Sequence, residues 1–318
     1  MKLALLLGCL APSVLPAGAE PAGDGQGVAL GLFASDPLYD YGPLVTEIAE
    51  TGATELLVAV PWSLPHSQSA ALQSGVPKQA LASVLRQAQE QELAVSVMPI
   101  VVLQDRSDGA WRGTLKPQNA SLFWRNYDAL LRSVAVDAQR GGAQRLILGS
   151  ELNSLESDPS WPGRIQSTRQ TFSGSLSYSA NWDRYAQVSF WQHLDSVSVS
   201  AYFPVEGPDT WQQELAILQA FADSEQRPLV LSEYGFPALS SAAERPWDET
   251  TGADFDPQLQ AQLLEQALAA IQAEPPQAHF LWNWFGTGAA NEASFTPRAR
   301  PAADVLRQAF EHPIRDTQ

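Results

Sequence analysis

Two glutamates, Glu151 and Glu233, close short β-forming runs, Leu146-Ile147-Leu148-Gly149-Ser150 and Leu229-Val230-Leu231-Ser232. Two carboxyls flanking one bond can divide its cleavage between them. One protonates the departing oxygen, and the other attacks or activates water, which is the chemistry of glycoside hydrolysis. Rings and an amide end other runs: Trp62, Asn181 with Trp182, Tyr202, and Trp282 with Trp284. Flat apolar rings suit the C–H faces of a sugar, and an amide such as Asn181 suits its hydroxyls. By strand alternation Glu233 shares a face with Leu229 and Leu231, and Tyr202 with Ser198 and Ser200. Alternation leaves open which face of each strand points inward.

Such residues need a frame that brings them together. Strand-like runs recur at 28–33, 55–61, 94–101, 145–151, 175–182, 196–203, 228–235 and 279–285. Amphipathic helical stretches fall at 42–50, 77–91, 121–139, 162–172, 210–224, 257–273 and 301–310. Phe123, Tyr127, Leu130, Leu131 and Val134 repeat at helical spacing, and Pro77, Pro257 and Pro301 stand at helix starts, where a missing N–H costs nothing. Strand–helix alternation implies right-handed crossovers and a parallel sheet. Eight units in this length fit an α/β fold of the single (β/α)8 TIM-barrel type, with its catalytic site at the C-terminal strand ends. Glu151 and Glu233 then lie on the fourth and seventh strands, across the mouth from each other. An open doubly wound sheet would carry a Gly-rich phosphate turn after its first strand, and Gly31-Leu32-Phe33-Ala34 is not one.

Composition narrows the function further. Lys and Arg number 19 against 35 Asp and Glu, giving a formal charge of −16. A nucleic-acid partner is therefore a poor fit, and past residue 30 no window approaches a transmembrane span. The expected partner is a polysaccharide or oligosaccharide. The chain has 1 Cys and 4 His, too few for a thiolate or multi-histidine metal site. Paired-carboxylate hydrolysis needs no metal or organic cofactor. Residues 1–19 read as an export signal: Lys2, the apolar run from Leu3 to Leu7, and Ala17-Gly18-Ala19 as cleavage site. Export to the periplasm or beyond follows, with lipidation at Cys9 as the lesser alternative. Residues 20–27 read as a short linker and 28–318 as one hydrolase domain. Asp105, Asp108 and Glu156 read as solvated loop acids, and the long segment 238–256 as a wall of the cleft.

Six co-linear segments carry a resemblance over essentially the whole mature chain. They are Leu30-Gly31-Leu32-Phe33 with Asp40-Tyr41-Gly42, Leu148-Gly149-Ser150-Glu151-Leu152, Tyr178-Ser179-Ala180-Asn181-Trp182-Asp183, Ser200-Ala201-Tyr202-Phe203-Pro204, Ser232-Glu233-Tyr234-Gly235 and Trp282-Asn283-Trp284-Phe285-Gly286. Together they resemble glycoside hydrolase family 113, a (β/α)8 branch of clan A that contains β-1,4-mannanases. The resemblance implies hydrolysis with retention, Glu151 as acid/base, Glu233 as nucleophile and Tyr202 as the tyrosine bonded to the nucleophile. It implies that Trp282 or Trp284 floors the sugar site, and that Trp111 and Arg112 contact substrate. Ser150 stands where many clan members have an Asn on the sugar 2-hydroxyl. No Arg ends the second strand and no His the third, so the fold and the carboxylate pair carry over more safely than mannan. Two alternatives stay open, another β-linked glycan as substrate and a catalytically weak barrel that binds carbohydrate.

Overall fold

The computed structural model describes residues 25–311 apart from Asp108, Ala290 and Asn291. The expected export signal and Cys9 lie outside the described residues. So does Asp108. The strands in chain order are β1 (Gly25–Gly31), β2 (Glu55–Leu64), β3 (Gln73–Ser74), β4 (Ala94–Leu103), β5 (Arg145–Ser150), β6 (Ser175–Asn181), β7 (Val197–Ser200), β8 (Leu229–Tyr234) and β9 (Ala278–Leu281). The two-residue β3 is an antiparallel flap on β2. The other eight run β1-β9-β8-β7-β6-β5-β4-β2, and β1 pairs again with β2, which closes a parallel barrel. Closure leaves none of the eight parallel strands at a free edge. Strand β1 starts at Gly25, so residues 25–27, expected in the linker, already belong to the barrel.

Helices α1 (Gly42–Ala49), α2 (Lys78–Glu90), α3 (Ala120–Arg140), α4 (Trp161–Arg169), α5 (Thr210–Ser224), α6 (Pro257–Ala273) and α7 (Pro301–Glu311) surround it. Pro257 and Pro301 open their helices as expected, and the Asp256 carboxylate caps α6 by accepting from Leu259 N–H. Pro77 stands one residue outside α2. Between β6 and β7 two short 3₁₀ turns replace a helix. Trp191 in the second is buried and donates its indole N–H to Tyr185 O at 2.9 Å. Among the described residues no helix is long and apolar enough to cross a membrane.

The core has two layers, set by strand alternation. Leu56, Val58, Val60, Leu146, Leu148, Leu229 and Leu231 face outward against the helices. Ala29, Leu57, Ala59, Met98, Ile100, Ile147, Val230 and Phe280 fill the lumen on one side. The other side is lined by serines: Ser177 bonds Ser198, and Ser232 donates to Ser179 at 2.7 Å. These buried hydroxyls satisfy one another, so a polar lining is tolerated there.

Candidate active site

Register shifts aim both acids. Strand β5 pairs with β6 as Ile147↔Ser177 and then resumes at Ser150↔Ser179, one residue longer on the β5 side. Strand β8 does the same against both neighbours: Val199↔Leu231 is followed by Ser200↔Glu233, and Leu231↔His279 by Tyr234↔Leu281. An extra residue in one strand breaks its alternation and re-aims the side chains after it. Leu229 and Leu231 thus pack outward while Glu233 turns into the mouth. The shared face expected for these three residues does not survive the bulge. Beyond β5, Glu151 takes a left-handed backbone, φ 53°, and its N–H donates to Ser179 O at 2.8 Å. A non-glycine residue held there stores backbone strain that its surroundings must stabilise. Gly149 makes the turn possible, because a Cβ on it would lie 2.4 Å from the Tyr127 hydroxyl, which donates to Leu148 O at 2.6 Å.

The carboxyls so placed are nearly closed to solvent, Glu151 at 5% and Glu233 at 1% exposure. Glu233 accepts from Ser150 Oγ at 3.0 Å and from Tyr202 Oη at 3.1 Å. Glu151 accepts from Ser200 Oγ and forms an ion pair with Arg112, Nη2 to Oε2, at 2.6 Å. Burial and then the charge of Glu151 push Glu233 up to about 7, against Arg112 and the Ser150 and Tyr202 hydroxyls. Burial works to lower Arg112, but the facing charges of Glu151 and Glu233 raise it. Interacting acids titrate as a pair, and the charge on Glu151 opposes ionisation of Glu233. One proton on two acids is what paired acid and nucleophile chemistry requires.

Arg112 comes from a 3₁₀ turn, Arg112–Thr114, in the β4–α3 connection. Thr114 Oγ1 donates to Trp111 O at 3.0 Å, and Gly113 leaves room for the Trp111 ring, which a Cβ would meet at 2.3 Å. Ser154 Oγ donates to Leu115 O at 2.7 Å, tying this connection to the turn after Glu151.

Behind Glu151 stands a carboxyl expected in solvent. Glu156 is buried, reached by a 3₁₀ turn (Asn153–Leu155) that rolls the chain back under β6. Tyr178 Oη donates to Glu156 Oε1 at 2.9 Å and accepts the Leu152 N–H at 2.8 Å. Burial pushes Glu156 up to about 7, with Tyr178 and Arg184 opposing and Glu151 and Asp183 reinforcing the rise. Asp105 is exposed, as expected. No sequence signal marked Glu156. Ser200 was identifiable, since it shares a strand face with Tyr202.

The remaining expected residues divide. Trp282, just past the end of β9, is partly buried against the lumen cluster and meets Phe33 edge-on at 6.0 Å. Its peptide bond to Asn283 is cis. Trp284 faces outward, with its indole N–H on Glu47 Oε2 of α1 at 2.9 Å, and Arg298 grips the same carboxylate. The substrate contact expected of Trp284 is therefore corrected to a packing role. Trp62 is corrected likewise: an even-numbered residue of β2, it points under α3, 1% exposed and edge-on to Tyr127 at 5.0 Å. Ser150, expected to contact the sugar, donates its hydroxyl to Glu233. Asn181, Trp182 and Trp111 are partly exposed near the strand ends. A groove of about 270 Å³ between α3 and α4, lined by Asp128, Arg132, Ser160, Arg164 and Thr168, lies on the barrel flank. Its Arg164 is engaged by Asp128 at 2.8 Å and by the Trp124 ring at 3.6 Å, which makes it a helix clamp.

The family described as Glycoside Hydrolase Family 113 matches residues 46–296. Among solved structures, the GH113 β-mannanase from Alicyclobacillus acidocaldarius, in complex with ManMIm, superposes with a TM-score of 0.83 at 25% identity, covering 92% of this chain and 99% of that one. Two structures of GH113 β-1,4-mannanase superpose at 0.80 and 0.82 with 19% and 18% identity. They cover 90% and 91% of this chain and 98% and 99% of theirs, and at that identity they speak to the fold. No curated protein matches the chain.

Proposed function

Since the chain belongs to Glycoside Hydrolase Family 113, we propose that this glycoside hydrolase cleaves β-1,4-linked mannan-type polysaccharide or oligosaccharide with retention. Glu151 is the acid/base and Glu233 the nucleophile. The observation that carries the reading is the buried pair itself: two carboxyls at one mouth, electrostatically linked, each held by its own hydroxyl.

In the first step ionised Glu233 attacks the anomeric carbon while Glu151 gives its proton to the departing oxygen. Tyr202 and Ser150 donate to the two Glu233 oxygens and hold them for attack. Once Glu233 is an ester its charge is gone, and Glu151 takes a proton from water, which hydrolyses the intermediate. The Arg112–Glu151 ion pair opens for this cycle. A sugar entering between the β4–α3 connection and the acid separates the two and frees Glu151 to carry the proton. Trp282 supplies an apolar floor beneath the ring being attacked.

Screening β-mannan, glucomannan, β-glucan and xylan for new reducing ends tests the reading, with mannan expected to be cleaved fastest. Release from none would make the barrel a carbohydrate binder, and a first-formed product of inverted configuration would remove Glu233 as nucleophile. Glu233→Ala and Glu151→Gln are each expected to lower turnover by orders of magnitude with the fold intact. We also propose export through residues 1–19, which places Glu20 at the mature N-terminus. N-terminal mass analysis of secreted protein decides this, and a lipidated Cys9 would replace it.

A further inference from the structure

A second pair of rings stands beside the acid. Asn181, the last residue of β6, is in register with Ser200, whose hydroxyl donates to Glu151. Trp182 follows directly. From the β8–α6 connection Trp247 reaches over and stacks on it, with centroids 6.4 Å apart and planes at 25°. Trp247 is 45% exposed.

An exposed indole on a slack loop would mean little, but this loop is anchored. Val205 N–H donates to Ala243 O at 2.7 Å, and Ser240 N–H to Asp254 O at 2.8 Å. Leu239 and Phe255 form an isolated bridge. Arg245 pairs with Asp248 at 2.7 Å, and Thr250 bonds the same carboxylate through its N–H and its hydroxyl. The ring is thus held in water at a standing cost in unburied apolar area. Beside it, Asn181 Oδ1 is buried without a hydrogen-bond partner. A flat apolar face next to an unused acceptor fits a pyranose, which offers C–H groups on its face and hydroxyls at its edge.

Position along a bound chain follows from the chemistry. The acid/base stands on the side of the departing sugar, because it protonates the oxygen that leaves with it. Trp182 follows β6, next to the acid's β5, and Trp247, though it comes from the connection after β8, is stacked on Trp182, whereas Trp282 follows β9, next to the nucleophile's β8. We propose that Trp182 and Trp247 form a binding platform for the leaving part of a β-linked sugar chain, with Asn181 accepting from one of its hydroxyls. This rests on the hydrolase reading above.

The test compares mannohexaose, which has leaving-side sugars, with a dinitrophenyl β-mannobioside, whose leaving group is not a sugar. Trp247→Ala is expected to lower the ratio of kcat/KM for the hexaose to that for the aryl glycoside about tenfold, the factor that 1.4 kcal/mol of lost contact gives. Trp247→Phe should recover part of the loss. An equal loss on both substrates would mean that Trp247 only supports the loop, and an unchanged ratio would likewise overturn the platform. If the wild type cleaves neither substrate, the hydrolase reading falls on its own. Titration of mannohexaose against indole fluorescence still decides the platform: roughly tenfold weaker binding by Trp247→Ala supports it, and equal affinity overturns it.

Discussion

The Ser150 hydroxyl donates to Glu233 Oε1 at 3.0 Å, so the residue preceding one of the paired acids steadies the other. The bond favours the ionised form of Glu233. Ser150→Ala should raise the Glu233 pKa and move the acidic limb of the kcat/KM profile to higher pH. A hydrogen bond to a charged group contributes about 1.5–3 kcal/mol, so below that limb the loss should reach roughly tenfold to a hundredfold. A pH profile that superposes on the wild type would remove Ser150 from this role.

Arg112 acts in the same direction from the other side of the pair, holding Glu233 lower by its charge. Arg112→Ala should shift the acidic limb upward, and Arg112→Lys, which keeps the charge and loses the planar fork, should shift it less. Rates measured from pH 4 to 9 check the order. A larger shift in the lysine variant than in the alanine variant would contradict the electrostatic account.

Glu156 sets a pH signature in stability. Its pKa is about 7 in the fold against an ordinary 4.5. Below about 4.5 it is neutral in folded and unfolded chains alike. As pH rises from there to 7 the unfolded chain ionises first, so the folded state loses stability, and above 7 the loss levels off. Glu156→Gln carries no charge to bury and should gain on the wild type over that window, by up to about 3 kcal/mol. Urea unfolding at pH 4.5 and pH 8 reads the difference, and the same gap at both values would reject it.

Gly149→Ala places a methyl 2.4 Å from the Tyr127 hydroxyl. Crowding of this kind costs about 1–3 kcal/mol, and here the strain falls on the turn that presents Glu151. Both thermal stability and kcat should drop. A variant with wild-type melting and turnover would show that the turn tolerates a side chain.

Much of this molecule can be read from its residues. The eight barrel strands and the helices between them follow from β-rich runs broken by prolines and amphipathic stretches, and each lies within a few residues of its expected span. Glu151, Glu233 and Tyr202 meet at one mouth because their strand ends do, and the β4–α3 connection brings Arg112 to them. What escapes the sequence is orientation. A period of two separates the faces of a strand without saying which is inside, so Trp62 and Trp284 looked as available as Trp282. Glu233 belonged by count with Leu229 and Leu231, and only the pairing partners of β8 show where the count breaks. Glu156 escaped for another reason. A turn of three residues carries it under Tyr178, and acids in loops carry no mark of such a fold-back.

Each of the paired carboxyls thus follows a strand position at which regular pairing is interrupted. Removing one residue between Ile147 and Ser150, or Ser232 between Leu231 and Glu233, is expected to restore the regular pairing count and turn a carboxylate away from the opening. The length of a single peptide unit thus sets where each acid points, and a one-codon deletion at Ser232 is expected to cost turnover far more than it costs melting temperature.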